Sequence, residues 1–259
     1  MTVPSSGHAT DVGHVRVVNE DALLDAPPLF VVADGMGGHA AGDAASALVV
    51  EELAALVAGA DGPDGRAPDE RALRDALTRA DRRVRAISDA SGRPLGAGTT
   101  VAAALLLDAE GEHPAWLVLW CGDSRVYRWA GGDLEQVSVD HSVVQELVDD
   151  GSLTPEEARR HPARNVITRA VGIGPGLRAD AVRLPVRPGE RLVVCSDGLT
   201  NEVDDEALAA ALAAGTGAQA SAAALVAAAL ESGGRDNVTV VVVDVPGDRA
   251  AAADGAGLG

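Results

Sequence analysis

The chain of 259 residues carries 39 acidic and 21 basic side chains, a formal net charge of −18. That balance repels a phosphate backbone and argues against nucleic acid as a partner, while no apolar run approaches the ~18 residues needed to span a bilayer. Hydrophobic residues make up 47% of the chain, enough for a buried core in one domain; Cys121 and Cys195 each fall in an apolar run, as expected for buried thiols in a reducing, cytoplasmic compartment.

The stretch from Met1 to Asp11 is polar and has no signal-peptide core. The first strand expected is Leu29–Ala33, followed by an Ala-rich helix over Asp43–Ala58 with Gly59 as its stop. A loop of Gly, Pro and Asp covers Asp61–Pro68. Leu73, Leu77, Ala80, Val84 and Ile87 then step by four and three, the stripe of an amphipathic helix. Thr100–Leu107, Ala115–Trp120 and Arg125–Trp129 are rich in Val, Leu and aromatics and read as strands. Connections as short as Gly122–Ser124 and Ala130–Asp133 favour antiparallel meanders.

From Asp140 to Asp180 Pro and Gly recur too often for a long strand, yet the segment is too long for a plain connection. It contains one short amphipathic helix, SVVQELVDDG, and reads as an insert of short helices and loops. Such a segment suits substrate selection, and Glu156–Arg164 is the stretch expected to act on phosphopeptides more than on a small ester. A strand at Arg191–Ser196, a helix at Ser221–Glu231 with Gly233 as stop, and a strand at Val238–Val245 complete the pattern. One domain over residues 1–246 is expected, with 247–259 as a disordered tail or linker.

Four aspartates recur at strand ends: Asp34 after LFVVA, Asp123 after AWLVLWCG, Asp197 after RLVVCS and Asp236 just before VTVVVV. One Asp before Gly is ordinarily a turn residue. Four that converge at one sheet edge cannot all stay ionised unless a cation neutralises them. An all-oxygen set suits Mg²⁺ or Mn²⁺, and the scattered histidines show no zinc spacing. Arg16, Glu20 and Asp21 lie together near the N-terminus. Arg16 is either a phosphate grip or the partner of Glu20 four residues on, as on a helix face.

The segments DVGHVRVVNEDA, VVADGMGGHAAGDAAS, GAGTTVAA, CGDSRVYRW, VDHSVVQELVDDG, HPARNVITRAVG, VVCSDGLTNEV and GGRDNVTVVVV, taken in order, resemble the bacterial protein phosphatase 2C family, metal-dependent PPM-type serine/threonine phosphatases. The resemblance covers residues 10 to 245 and implies an α+β fold, a four-layer α-β-β-α sandwich of two antiparallel sheets between helical layers. It implies hydrolysis of phosphoserine and phosphothreonine in proteins by a hydroxide between two Mn²⁺ or Mg²⁺ ions, with a third, weaker site. In that scheme Asp34 bridges two metals and the Gly35 carbonyl is a further ligand. Asp197 and Asp236 complete one metal, Glu20 and Asp21 hold waters on the other, and Asp123 with Asp197 holds the third. Arg16 grips the phosphate, and the insert is the family's flap. Substrates would include a cognate serine/threonine kinase and its targets.

Met36 stands where eukaryotic members often carry a histidine proposed as general acid. His39 is either its replacement or a polar residue near the next helix start; otherwise a water serves as donor. Thr99 and Thr100 are expected to support the site, Arg125 to pair with a nearby carboxylate, and the two cysteines to be packing. Two alternatives accompany this assignment. One is a non-catalytic regulatory module of the same fold; the other is a stress-regulatory phosphatase specific for an anti-sigma antagonist.

Overall fold

Strands that are apolar on both faces need cover on both faces, and that requirement organises the molecule. The computed structural model describes residues 4–37, 41–60, 67–88, 91–107 and 113–247. Its strands are β1 (Ser5–Asp11), β2 (Asp21–Ala26), β3 (Leu29–Met36), β4 (Gly98–Thr99), β5 (Val101–Leu107), β6 (Ala115–Cys121), β7 (Arg125–Ala130), β8 (Asp133–Gln136), β9 (Asp180–Pro185), β10 (Arg191–Cys195) and β11 (Val238–Asp244). Its helices are α1 (Ala41–Ala60), α2 (Glu70–Arg85), α3 (Val143–Asp149), α4 (Pro155–Arg160), α5 (Asp197–Thr200), α6 (Asp205–Ala214) and α7 (Ala218–Ser232).

The strands form two antiparallel sheets, one in the order β1-β11-β10-β7-β8 and one in the order β2-β3-β5-β6-β9, with β4 paired to β3. Alternate residues along each central strand feed different apolar layers, as the two-residue period of a strand requires. In β3, Leu29, Val31 and Ala33 face α1 and α2, while Phe30 and Val32 enter the space between the sheets. In β10, Leu192 and Val194 enter that same space, and Val193 and Cys195 pack under α6 and α7. The result is the α-β-β-α sandwich expected, with helices on both outer faces.

The helices follow local rules. Asp69 caps α2 by accepting from the Ala72 amide, and Leu73, Leu77, Ala80 and Val84 form its buried stripe. Helix α2 ends at Arg85, so Ile87 lies beyond it. Helix α1 runs through Gly59 to Ala60, one turn edge further than a glycine stop suggested. The insert holds the expected α3 and also α4, whose Thr154 and Glu157 make a reciprocal capping box.

His39, most of the Asp61–Pro68 loop and residues 248–259 of the expected tail lie outside the described residues.

Candidate active site

The carboxylates meet where strands of both sheets end on the same side. Asp34 sits in β3, directly opposite Asp21 on β2. Asp123 occupies the turn between β6 and β7. Asp197 opens α5 one residue, Ser196, after β10, and Asp236 precedes β11 by one residue, Asn237. Arg16, Glu20, Asp34, Gly35, Asp123, Asp197 and Asp236 line one cleft of about 250 Å³. Asp21 is the exception among the residues picked from sequence. It lies behind the cleft wall, its Oδ2 accepting from Ser196 Oγ at 2.8 Å, and its Oδ1 is buried without a hydrogen-bond partner.

Backbone hydrogen bonds hold the acids in place. The Asp34 amide donates to Thr100 Oγ1 at 3.0 Å, and the Thr99 hydroxyl donates to the Asp34 carbonyl at 2.9 Å. Both threonines therefore support the site as expected. Gly35 donates to the Glu20 carbonyl at 3.1 Å. A Cβ on Gly35 would collide with the Gly42 carbonyl at the start of α1, so only glycine lets helix and strand approach this closely. Arg125 forks onto Asp140, with its shortest contact at 2.7 Å. Residues 12–20 form no helix, which removes the face-sharing pair of Arg16 with Glu20. Arg16 instead donates to Asp236 Oδ2 at 2.7 Å, at the edge of the cleft.

Asn237 is the residue whose part was not foreseen. Its Oδ1 accepts from the Glu20 amide at 2.9 Å, and its Nδ2 donates to the carbonyls of Val12 and Val18, each at 3.0 Å. One amide thus ties the segment carrying Arg16 and Glu20 to the strand end carrying Asp236. Asn165 and Ile167 of the insert also line the cleft. Both lay within matching segments, but an isolated amide or Ile gives no local signal of convergence.

The electrostatics are those of crowded acids. Burial, then the charges of neighbouring aspartates, pushes Asp34 well above the usual carboxylate range. Burial above all raises Asp123 to about 8, with Asp197 and Asp140 adding to it. Asp21 rises to about 7, again chiefly through burial. Asp197 moves up for the same reason and through Asp236, with a hydrogen bond from Asp34 offsetting part of the rise. Arg16 is held more firmly protonated by its bond to Asp236. The thiols of Cys121 and Cys195 are buried and pushed up to about 12, so neither is a nucleophile.

Among the described residues, no three acidic, histidine or cysteine side chains stand in a finished cation cage. The donor set still fits divalent cations. It is all oxygen, its acids are half-buried or, for Asp123, buried, and their mutual repulsion is what a hard cation relieves. The orphaned Asp21 Oδ1 points to the same need. Among the described residues no helix is long and apolar enough to cross a membrane.

A sandwich of two antiparallel sheets with an acidic cleft and an arginine at its edge defines a class of hydrolytic domains, and the comparisons place the chain within it. The family model described as protein phosphatase 2C matches residues 14–232, and the chain belongs to that family. It is 41% identical over 243 residues to the serine/threonine protein phosphatase PstP of Mycobacterium tuberculosis, a match that covers 91% of this chain and 44% of PstP. The chain thus spans less than half the length of that relative. The PPM Ser-Thr phosphatase MsPP of Mycobacterium smegmatis, solved with cacodylate, superposes with a TM-score of 0.81 at 40% identity, covering 93% of this chain and 97% of MsPP. The catalytic domain of PstP with two manganese ions gives a TM-score of 0.80 at 37% identity, covering 95% and 100%.

Proposed function

We propose that the protein hydrolyses phosphoserine and phosphothreonine in proteins, using two divalent cations, Mn²⁺ or Mg²⁺, with a weaker third site. The observation that carries this is the convergence of Asp34, Asp123, Asp197 and Asp236 in one cleft with Arg16 at its edge. When bound, the cations would supply an activated water at neutral pH and neutralise charge developing at phosphorus.

The chain's own groups do the rest. Asp34 and the Gly35 carbonyl, with Asp197 and Asp236, would hold one cation, and Asp34 would be shared with the second. Glu20 and Asp21 would hold the second cation through water, and Asp123 with Asp197 would hold the weaker third. Arg16 grips two phosphate oxygens and orients the ester. Its bond to Asp236 positions the guanidinium before substrate arrives. Met36 has no proton to give, so the leaving alkoxide takes its proton from solvent in the cleft.

The natural substrates are phosphorylated proteins, including a cognate kinase and its targets, in a reducing, cytoplasmic compartment that suits two buried free thiols. Residues 1–246 form the catalytic domain, with the flap at 140–180.

The test is hydrolysis of p-nitrophenyl phosphate and of a phosphothreonine protein in Mn²⁺, Mg²⁺ or chelator. Turnover restored by cation and abolished by chelator is expected. Full turnover on metal-stripped protein in excess chelator overturns the mechanism. Intact cation binding with no turnover of either substrate would favour the non-catalytic module.

A further inference from the structure

Beside the acidic cleft lies a second cavity of about 350 Å³, and the two share Met36 and Ile167. Its other walls include Ile173 and Pro175, so its character is apolar where the cleft is anionic. Arg169 and Arg178 stand at its rim. Arg169 is engaged by Asp180 at 3.1 Å. Arg178 makes no hydrogen bond or ion pair among the described residues, so its charge is available on an otherwise acidic molecule.

The cavity is built and not a gap in a loose loop. Val171 and Thr99 exchange backbone hydrogen bonds at 2.9 and 3.1 Å, which fastens this part of the flap to β4. The Gly172 amide donates to Asp81 Oδ1 at 2.8 Å, and Arg85 of α2 donates to the Ile173 carbonyl at 3.3 Å. The Ile173 side chain lies directly over Gly98, where an added Cβ would stand 2.7 Å from its Cγ1. A pocket fixed in this way loses little on binding, because its walls are already ordered.

A second pattern points to the same ligand. The large apolar side chains left exposed among the described residues are Val15, Val17, Val18, Val139, Val166 and Ile173. The first three flank Arg16 in sequence; the others lie in the flap or at its start. Exposed apolar groups that neighbour cleft-lining residues such as Arg16 and Asn165 in sequence suit a surface that a bound segment covers. A small phosphate ester covers none of it, whereas an extended protein segment does.

Resting on the phosphatase assignment above, we propose that this cavity receives an apolar side chain adjacent to the phosphorylated residue of the substrate. The protein then selects phosphoserine or phosphothreonine segments that carry a Leu-, Ile- or Met-like neighbour. Continuity through Met36 and Ile167 places the cavity beside the phosphate's cleft, within reach of a residue adjacent to the phosphorylated one.

The experiment uses matched phosphothreonine peptides with Leu or Ser immediately before, or immediately after, the phosphorylated residue. kcat/KM is measured at saturating Mn²⁺ for the whole chain and for Ile173→Ser, with p-nitrophenyl phosphate as a reference substrate for the unaltered protein. The unaltered protein should prefer Leu at one of the two positions by roughly tenfold or more, the scale on which apolar pockets discriminate. In Ile173→Ser that ratio should fall below about threefold. Ratios near one at both positions, with peptides and reference ester both turned over, overturn the cavity's role and leave the phosphatase assignment standing. A Leu preference undiminished in Ile173→Ser overturns it as well. Absence of turnover on every substrate removes both.

Discussion

Asp34 faces Asp21 across the β2–β3 ladder and shares the cleft with three further aspartates, so its environment is hostile to its own charge. Burial and like charges raise Asp21 to about 7 and Asp123 to about 8. The folded protein therefore holds protons that the unfolded chain releases near pH ~4. With the folded values the higher, this contribution is complete below the unfolded pKa and is lost as pH rises through the folded ones. In chelator, the melting temperature should fall between about pH 4 and about pH 8. Saturating Mn²⁺ should flatten that fall, and at about 100 times its dissociation constant it should add roughly 2.7 kcal/mol. A melting temperature indifferent to Mn²⁺ at pH 8 would count against a cation site. Asp34→Ala or Asp236→Ala should abolish tight cation binding in calorimetry and nearly all turnover. Unchanged stoichiometry would make these residues turn formers. Arg16→Ala should lower kcat/KM for a phosphate ester by about 10- to 100-fold, the loss of a charge-assisted pair, while cation affinity holds. Because Arg16 bonds Asp236, calorimetry must accompany the kinetics. A collapse of cation affinity with turnover unchanged at saturating metal would reassign it.

At the level of elements, the segment 12–20 has neither helix nor strand and is held by a side chain from elsewhere. Asn237 satisfies the Glu20 amide and two carbonyls at once. Asn237→Ala leaves those groups to find water, at about 1–3 kcal/mol for a buried unsatisfied group. Denaturant unfolding should show a loss in that range, and cation affinity should drop because Glu20 is no longer placed. A variant as stable and as metal-avid as the parent would show the segment to be held by something else. The insert divides in two by the same criterion. Helix α4 and its capping box face solvent, and Arg159 pairs with Asp205. Asn165 and Ile167 reach the cleft. Within the insert, the residues that line the cleft thus begin just beyond Glu156–Arg164.

Across the whole molecule, the two sheets are pinned at the end remote from the cleft by a buried ionic group. Glu190 is 0% exposed and Arg128 2%. Trp116 of one sheet donates to Glu190 Oε1 at 2.8 Å, and Arg128 of the other donates to Oε2 at 2.6 Å. Removing one partner of such a pair strands the other charge in the interior, a loss of about 3–5 kcal/mol. Glu190→Ala should therefore unfold at much lower denaturant. Glu190 precedes β10 and Asp197 follows it, a separation of about 20 Å at strand rise. Turnover per folded molecule should thus survive. A stable Glu190→Ala variant would mean water reaches this group.

The central strands β3, β5, β6, β7, β10 and β11 were legible because each is covered over most of its length on both faces and reads as a nearly continuous apolar run. The longer strands that went unseen, β1, β2, β8 and β9, are the four edges of the two sheets. An edge strand is half covered and short of neighbours, so its residues need not be apolar, and SSGHATD or DLEQ looks like loop. Helix α6 was missed because only Leu208 and Leu212 of its Ala-rich sequence are buried. The four strand-end aspartates were visible one by one, since an Asp bounded by an apolar run is a local signal. Their convergence was legible only through the family resemblance, and Asp21's place behind the wall, Arg16's bond to Asp236 and the threefold grip of Asn237 were not legible at all. Those facts depend on residues up to 225 positions apart, brought together only when two sheets pack with their strand ends aligned. Periodicity along a chain records which faces are buried, whereas the distance between two strand ends is set by packing alone.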